Sequence, residues 1–198
     1  MNQNQPNSLP PEYFDHVYRA NRDPWNYESS PYERDKYAAT LAALPHPTYA
    51  EALEIGCSLG VLTAQLAART GQLLAVDVNE AALAQARQRC ADLPHVDLRL
   101  MQVPEHFPGQ QFDLILVSEV GYFWSPADLA RAADKVVAGL RPAGQLLLVH
   151  WTPAVHDYPL TGDDVHEFFL QQAAANGPLR HLTGQRHENY RLDLLEKR

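Results

Sequence analysis

Short runs of Leu, Ile and Val alternate with longer amphipathic runs between residues 50 and 151. The short apolar runs have the length and composition of strands. They cover residues 52–56, 73–78, 96–101, 112–118 and 145–151. Helical patterns occupy 59–69, 79–91 and 126–140. Because strands of this composition are usually buried on both faces, their alternation with helices predicts a mostly parallel sheet covered by helices.

The N-terminal third is helical in pattern. Residues 1–10 are polar and predict a disordered tip, and Tyr13, Phe14, Val17 and Tyr18 then recur at helical spacing. A second helix begins with Ser30 as N-cap, Pro31 as first residue and Glu33 completing a capping box, and it stops before Pro45.

The C-terminal pattern predicts a helix at about 163–175, which ends at Asn176-Gly177, and then two antiparallel strands around Glu188-Asn189. We therefore expect an α/β protein with a Rossmann-like, doubly wound, mostly parallel seven-stranded sheet, an antiparallel C-terminal strand and an N-terminal helical lid. Residues 1–48 form the cap and residues 49–198 the ligand-binding part of one domain.

Composition narrows the classes of function. The 198 residues carry a formal net charge of -8 without a basic run, which argues against a nucleic-acid partner. Cys57 and Cys90 have no metal-ligand spacing, and neither do the histidines and carboxylates of 156–167, so we expect reduced thiols and no metal. The polar N-terminus and the lack of a long apolar run predict a cytoplasmic protein that does not bind membranes.

A glycine turn follows the first strand of the alternating region. Gly56–Gly60 has the spacing G-x-x-x-G, and Ser58 stands where a dinucleotide fingerprint needs a glycine. Asp77 ends the second strand, 21 residues after Gly56, where an acidic side chain can accept hydrogen bonds from a ribose. Glu54 would repel a pyrophosphate but attract an ammonium group. A ligand with a ribose, an ammonium group and no phosphate describes S-adenosylmethionine.

These residues also resemble a known family. Glu54-Ile55-Gly56-Cys57-Ser58-Leu59-Gly60, Asp77 and the strand 112–115 resemble, in order and spacing, the motifs of class I S-adenosylmethionine-dependent methyltransferases over about residues 50–151. The segment DPWNYESSPYERDKY is similar to the nodulation protein S (NodS-like) group of N-methyltransferases.

The resemblance implies cofactor contacts at defined positions, with S-adenosylhomocysteine as product. Besides Glu54, these contacts come from the glycine turn, from the ends of the following strands and from the cap: Gly56, Cys57, Ser58 and Gly60 under the methionine part; Asp77 on the ribose; Val78, Asn79, Gln102 and Val103 around the adenine; Ser118 and Glu119 beside the methyl group; and Trp25, Tyr32, Arg34 and Tyr37 over the cofactor. Arg34 is the candidate partner of the methionine carboxylate, whereas it and Lys36 can also form a solvated helix face.

An amine acceptor must be neutral when it attacks a methyl group, so a base beside it is useful. Glu119 and His150 both end core strands and are the candidate catalytic residues. Aromatic residues that cluster in sequence can stack on a sugar or pack on one another: Tyr122, Phe123, Trp124, Trp151 and Tyr158.

The expected function is methyl transfer to a small-molecule or glycan acceptor at an amino group. Two alternatives stay open at this point, an NAD-dependent oxidoreductase and a non-catalytic Rossmann-like binding protein. The sequence leaves the oligomeric state undetermined.

Overall fold

A seven-stranded sheet forms the centre of the computed structural model, which describes residues 7–198. Its strand order is β3-β2-β1-β4-β5-β7-β6, and only β7 runs against the other strands. The strands are β1 Tyr49–Ile55, β2 Thr70–Asp77, β3 Val96–Leu100, β4 Phe112–Ser118, β5 Leu140–Trp151, β6 Leu179–Arg186 and β7 Tyr190–Lys197. The expected α/β class, strand number and antiparallel C-terminal strand are confirmed.

Helices cover both faces of this sheet. They are α1 Pro11–Ala20, α2 Pro31–Ala42, α3 Val61–Leu66, α4 Glu80–Arg89, α5 Pro126–Gly139 and α6 Gly162–Gln171. Successive strand residues point to opposite faces, so in β4 Ile115 packs in the cluster under α5 and α6, whereas Leu114 packs in the cluster under α2 and α3. The doubly wound arrangement follows from strands that are apolar on both sides.

The sheet reverses its order between β1 and β4, which are hydrogen-bonded neighbours with helical connections leading in opposite directions. Ile55, Asp77 and Ser118 end three parallel strands at the same edge. Ligands of open parallel sheets bind at this edge, near such a reversal. Within residues 7–198, no helix has the length and apolarity needed to cross a bilayer.

Two predictions for the N-terminal region need correction. Part of the expected disordered tip, residues 1–6, lies outside the described residues. The rest is held in place, because Leu9 N donates to Phe123 O at 2.9 Å. The capping box is incomplete: Ser30 Oγ accepts from Glu33 N, but the Glu33 carboxylate turns inward to Lys36.

The last helix is shorter than predicted, because α6 ends at Gln171. The chain after it folds back, and Leu179 N donates to Gln172 O at 3.2 Å to start β6. A side chain at Gly177 would lie 2.0 Å from the same Gln172 carbonyl oxygen. Gly177 therefore serves this tight reversal rather than a helix cap after residue 175.

Replacing Gly60 with alanine tests the turn geometry. Gly60 has φ +73°, and an added Cβ would lie 2.9 Å from Ala86 Cβ of α4. We expect Gly60→Ala to lower the free energy of unfolding by roughly 2 kcal/mol, measured by urea denaturation. Gly109→Ala is the matched control, because no atom lies within 4 Å of its added Cβ. Equal stability of the two variants would contradict this account of the turn.

Candidate functional site

A cavity opens over the carboxyl ends of β1, β2 and β4. Its floor is made by strand ends and the turns after them, and its roof by aromatic side chains of the cap (the described part of residues 1–48). The principal lining residues are Glu54, Ile55, Gly56, Cys57, Ser58, Leu59, Val76, Asp77, Val78, Met101, Gln102, Val103, Ser118, Glu119, Val120, Phe123, Trp124, Tyr18, Trp25, Tyr27 and Tyr37.

The glycine turn forms one wall of the cavity and uses its own amide groups within the fold. Gly56 N and Cys57 N both donate to Val76 O, and Ser58 N donates to Asp77 Oδ2 at 2.8 Å. Gly56 has φ +85°, and a Cβ there would lie 3.0 Å from Val120 Cβ. Since these N–H groups are already bonded, the turn is a close-packed wall rather than a phosphate-binding cradle.

Glu54 and Asp77 line the same cavity from neighbouring strands. Glu54 is 1% exposed, and its Oε2 has no hydrogen-bond partner among the described residues. Burial raises the pKa of Glu54 to about 7; the Thr63 hydroxyl opposes this effect, and the nearby charge of Asp77 adds to it. A buried carboxylate oxygen without a partner fits a ligand that supplies a cationic donor such as an ammonium group.

Asp77 is held by the backbone. Its Oδ2 accepts from Ser58 N and its Oδ1 accepts from Asn79 N at 2.9 Å. Burial raises the pKa of Asp77, although these amide hydrogen bonds act in the opposite direction. Because each carboxylate oxygen can accept more than one hydrogen bond, both oxygens can still bind the two hydroxyls of a ribose.

The roof of the cavity is aromatic. Trp25 lies between Tyr18 and Tyr27, with ring centroids 5.7 Å and 5.6 Å away. The Tyr18 hydroxyl lies 2.5 Å from Ser58 Oγ, which joins α1 to the glycine turn. No Lys, Arg or His of residues 7–198 belongs to the cavity lining. Aromatic faces and carboxylates together favour a cationic ligand.

Glu119 follows β4 and is fixed by donors from three parts of the chain. Its Oε1 accepts from Lys36 Nζ at 2.6 Å, and its Oε2 accepts from the Tyr122 hydroxyl at 2.6 Å and from Trp151 N at 2.9 Å. The backbone of Glu119 has φ +55°, a left-handed conformation that costs free energy for a non-glycine residue. These contacts fix the orientation of the Glu119 carboxylate at the cavity wall.

Lys36 is the cation of this cluster and is only 2% exposed, so the alternative of a solvated helix face does not hold for it. Its Nζ also lies 2.9 Å from Glu33 Oε2. Burial alone would lower the pKa of Lys36, but the charges of Glu119 and Glu33 outweigh burial and raise it. Lys36 is therefore charged, and its ion pair with Glu119 links the cap to the sheet.

Several residues predicted to contact a cofactor lie outside the cavity lining. Arg34 is exposed and pairs with Asp35, and Tyr32 packs against Trp151. Gly60 begins α3, and Asn79 caps α4 by accepting from Ala82 N. The remaining predicted contacts do line the cavity: Trp25, Tyr37, Glu54, Gly56, Cys57, Ser58, Asp77, Val78, Gln102, Val103, Ser118 and Glu119.

His150, predicted as a catalytic residue, is completely buried. Its Nε2 lies 3.1 Å from Gly121 N, and its Nδ1 lies 3.0 Å from His166 Nε2. Both ring nitrogens are thus occupied within the fold. The structure does not place His150 where it can accept a proton from a molecule in the cavity.

The aromatic residues suggested for acceptor binding mostly pack on one another. The rings of Tyr122 and Tyr158 stack at 5.1 Å, and Phe123 meets Tyr158 edge-on at 4.8 Å. Of the five, only Phe123 and Trp124 line the cavity. The structure therefore provides no stacking platform built from this group.

Sequence reasoning missed Tyr18 and Tyr27 in the roof and Lys36 beneath it. The positions 33, 36, 37 and 40 are the buried stripe of α2, at i, i+3, i+4 and i+7. This periodicity with opposite charges three residues apart was the signal for a buried ion pair.

Comparisons with known proteins agree with this geometry. The model of the nodulation protein S (NodS) family matches residues 16–155. Nodulation protein S of Sinorhizobium fredii is 31% identical over 134 residues, which are 67% of this chain and 62% of that protein. The matched region thus spans somewhat less than two thirds of that curated relative.

Solved structures show the same fold. The crystal structure of a protein from Pseudomonas syringae has 38% sequence identity to this chain and a TM-score of 0.73. The match covers 84% of this chain and 99% of that chain. The N-methyltransferase NodS from Bradyrhizobium japonicum WM9, solved with S-adenosylhomocysteine, has a TM-score of 0.83 at 24% identity, covering 94% and 97%. The resemblance drawn from the glycine turn and the cap segment is confirmed.

The buried Glu54 carboxylate predicts a pH-dependent cost to the stability of the ligand-free protein. Its pKa of about 7 lies above the ordinary value of 4.5, so the folded state binds more protons between these values and loses stability as the pH rises through them. We expect Glu54→Gln to be more stable than the wild type by about 2–3 kcal/mol at pH 8 and nearly equal at pH 4.5. Urea denaturation at both pH values measures this difference.

Glu188→Gln is the control, because Glu188 is exposed in the turn between β6 and β7. It should match the wild type at both pH values. A Glu54→Gln variant that is less stable than the wild type at pH 8 would contradict the unpaired burial of this carboxylate.

Proposed function

Because the chain belongs to the nodulation protein S family, we propose that it is an S-adenosylmethionine-dependent methyltransferase acting on an amine of a small-molecule or glycan acceptor. One observation carries the proposal: the cavity at the sheet reversal places the carboxylates of Glu54 and Asp77 on neighbouring strands under an aromatic roof, without a basic side chain from residues 7–198. This lining suits a ligand that is cationic, contains a ribose and has no phosphate.

Each part of the cofactor has a matching part of the wall. Glu54 would bind the ammonium group and Asp77 the ribose hydroxyls. The adenine would lie between Val78 and Val103, and Trp25 would cover the ligand from the cap. When bound, S-adenosylmethionine supplies a methyl group that its sulfonium already activates.

Glu119 is the residue that we assign to the acceptor. Three donors fix its carboxylate, and a carboxylate has about four acceptor positions, so one remains for an acceptor N–H. A preorganised carboxylate at the cavity wall can orient the amine and accept the proton that it releases. His150 has no part in this assignment.

The alternatives are less well supported. An NAD-dependent oxidoreductase needs free amides for the pyrophosphate, but the amides of Gly56, Cys57 and Ser58 are bonded within the fold. A non-catalytic binding protein would not need a buried carboxylate held by Lys36 beside the cavity.

Affinity for S-adenosylhomocysteine, which has the same ammonium and ribose groups, should depend on pH through Glu54. As the pH falls below about 7, Glu54 becomes neutral and wild-type affinity should fall. Glu54→Gln should bind roughly 10- to 100-fold more weakly at pH 8 and show little change between pH 8 and pH 6. Isothermal titration calorimetry measures the affinity of the wild type and of the variant at both pH values. Binding of this variant at wild-type affinity would contradict the ammonium assignment.

Turnover tests the acceptor class. With S-adenosylhomocysteine release as readout, we expect transfer to glucosamine but not to glucose or N-acetylglucosamine, which share its ring and lack the free amine. Glu119→Gln should lower kcat by roughly 100-fold or more and leave the Kd for S-adenosylhomocysteine within about threefold. Glu188→Gln serves as control.

The outcomes separate the candidate functions. Transfer to hydroxyl acceptors alone contradicts the amine assignment. Absence of any binding of S-adenosylmethionine contradicts the methyltransferase proposal and favours the non-catalytic alternative.

A further inference from the structure

A buried chain of hydrogen-bonding groups runs from the cavity wall into the C-terminal half of the sheet. Gly121 N lies 3.1 Å from His150 Nε2, and His150 Nδ1 lies 3.0 Å from His166 Nε2. His166 Nδ1 lies 2.6 Å from Asp193 Oδ2. All three side chains are at most 1% exposed. The proposed methyl transfer uses none of them.

Only one placement of protons satisfies every contact in this chain. A backbone N–H is always a donor, so His150 Nε2 accepts from Gly121 and carries no proton. A neutral His150 then has its proton on Nδ1 and donates to His166 Nε2. His166 in turn has its proton on Nδ1 and donates to Asp193. A second proton on either ring would set two donors against each other.

The groups around the chain favour this neutral arrangement. Asp193 also lies 2.6 Å from Arg191 Nε and 2.7 Å from His181 Nε2. Burial would raise the pKa of Asp193, but the hydrogen bond from His166 and the charge of Arg191 outweigh burial and lower it. Asp193 is therefore a carboxylate that can accept from His166.

Burial lowers the pKa of both His150 and His166, and it outweighs the opposing effect of Asp193 on His166. Other charged or titratable groups that face the two rings are Lys36 and Tyr122 near His150, and Asp163 and Arg191 near His166. The charge of Lys36 adds to the lowering of the His150 pKa.

The first member of the chain, Gly121, lies in a loop whose neighbouring residues form part of the wall of the proposed cofactor site. The loop 119–123 contributes Glu119, Val120 and Phe123 to the cavity. Gly121 lies so close to His150 that an added Cβ would be 2.9 Å from Nε2. The loop therefore rests directly on the imidazole ring.

We propose that His166 and Asp193 are positioning residues, which fix the tautomer of His150 and thereby hold the loop 119–123 in its cavity-lining conformation. Each group orients the next one along the chain, and none of them touches a molecule in the cavity. The inference depends on the proposed function only through the choice of S-adenosylhomocysteine as a ligand probe.

Nitrogen-15 NMR of the full chain tests the tautomers without any ligand. Two-bond proton–nitrogen correlations should show both His150 and His166 protonated on Nδ1 and bare on Nε2 at pH 7.5. The Gly121 amide should exchange slowly with solvent. A proton on His150 Nε2 would overturn the proposal.

Two substitutions at position 166 separate positioning from simple space filling. Gln can place an amide oxygen near the position of the imidazole Nε2 and accept from His150 Nδ1, whereas Phe fills the space without an acceptor. We expect His166→Gln to keep the His150 tautomer and slow Gly121 exchange. His166→Phe should speed that exchange and weaken S-adenosylhomocysteine binding, each by roughly threefold to tenfold.

His181→Gln is the matched control, since His181 bonds the same carboxylate but is not in the path from Gly121. It should leave the His150 tautomer, Gly121 exchange and ligand affinity unchanged. Asp193→Leu, which removes the oxygen that accepts from His166 Nδ1, should act like His166→Phe and provides a second variant if the Phe variant does not fold.

Equal Gly121 exchange in the wild type and in the Phe or Leu variant would overturn the inference. If the wild type binds no S-adenosylhomocysteine while tautomers and amide exchange behave as expected, the proposed function fails and the positioning of the loop stands.

Discussion

The cost of placing carboxylates at buried strand ends governs this structure. Glu54 and Asp77 lie where two parallel strands end, a position that parallel order gives to both at once. An isolated ionised carboxylate is expensive to bury, and the fold leaves Glu54 Oε2 without a donor. The glycine turn, the aromatic roof and the cap all surround these carboxylates. The site is therefore built around buried negative charge that a cationic ligand can neutralise.

The cap completes the site through one buried ion pair. Lys36 reaches from α2 to Glu119 after β4, and Glu33 partners it on the same helix. Removing one member would leave an uncompensated buried charge, which is far more costly than the loss of a surface pair. The orientation of Glu119 and the packing of α2 on the sheet therefore depend on the same buried ion pair.

Much of the fold could be predicted from sequence because it depends on local pattern. Strand-like runs of Leu, Ile and Val predicted the first five strands, and the alternating pattern around Glu188-Asn189 predicted the last two. The Ser125-Pro126 start of α5 has the predicted cap, with Ser125 Oγ accepting from Asp128 N. The spacing of Gly56, Gly60 and Asp77 along the sequence also predicted the turn after β1 and the acidic residue at the end of β2.

Other features depend on contacts between distant segments and could not be read this way. Glu33 left its capping box because Lys36 was buried beside it, a result of α2 docking on the sheet. His150 looked like a free base at a strand end, but α6 brings His166 against it. Tyr18 meets Ser58 across 40 residues of chain. In each case the partner is set by tertiary packing, which periodicity does not encode.

The pKa of Glu54 has a thermodynamic consequence for ligand recognition. At pH 7 a carboxyl with a pKa of about 7 is protonated in about half of the molecules. A cation that pairs with it selects the ionised half and expels up to about half a proton per complex. The heat of association should then vary with the ionisation enthalpy of the buffer, and this variation reports directly on a single side chain.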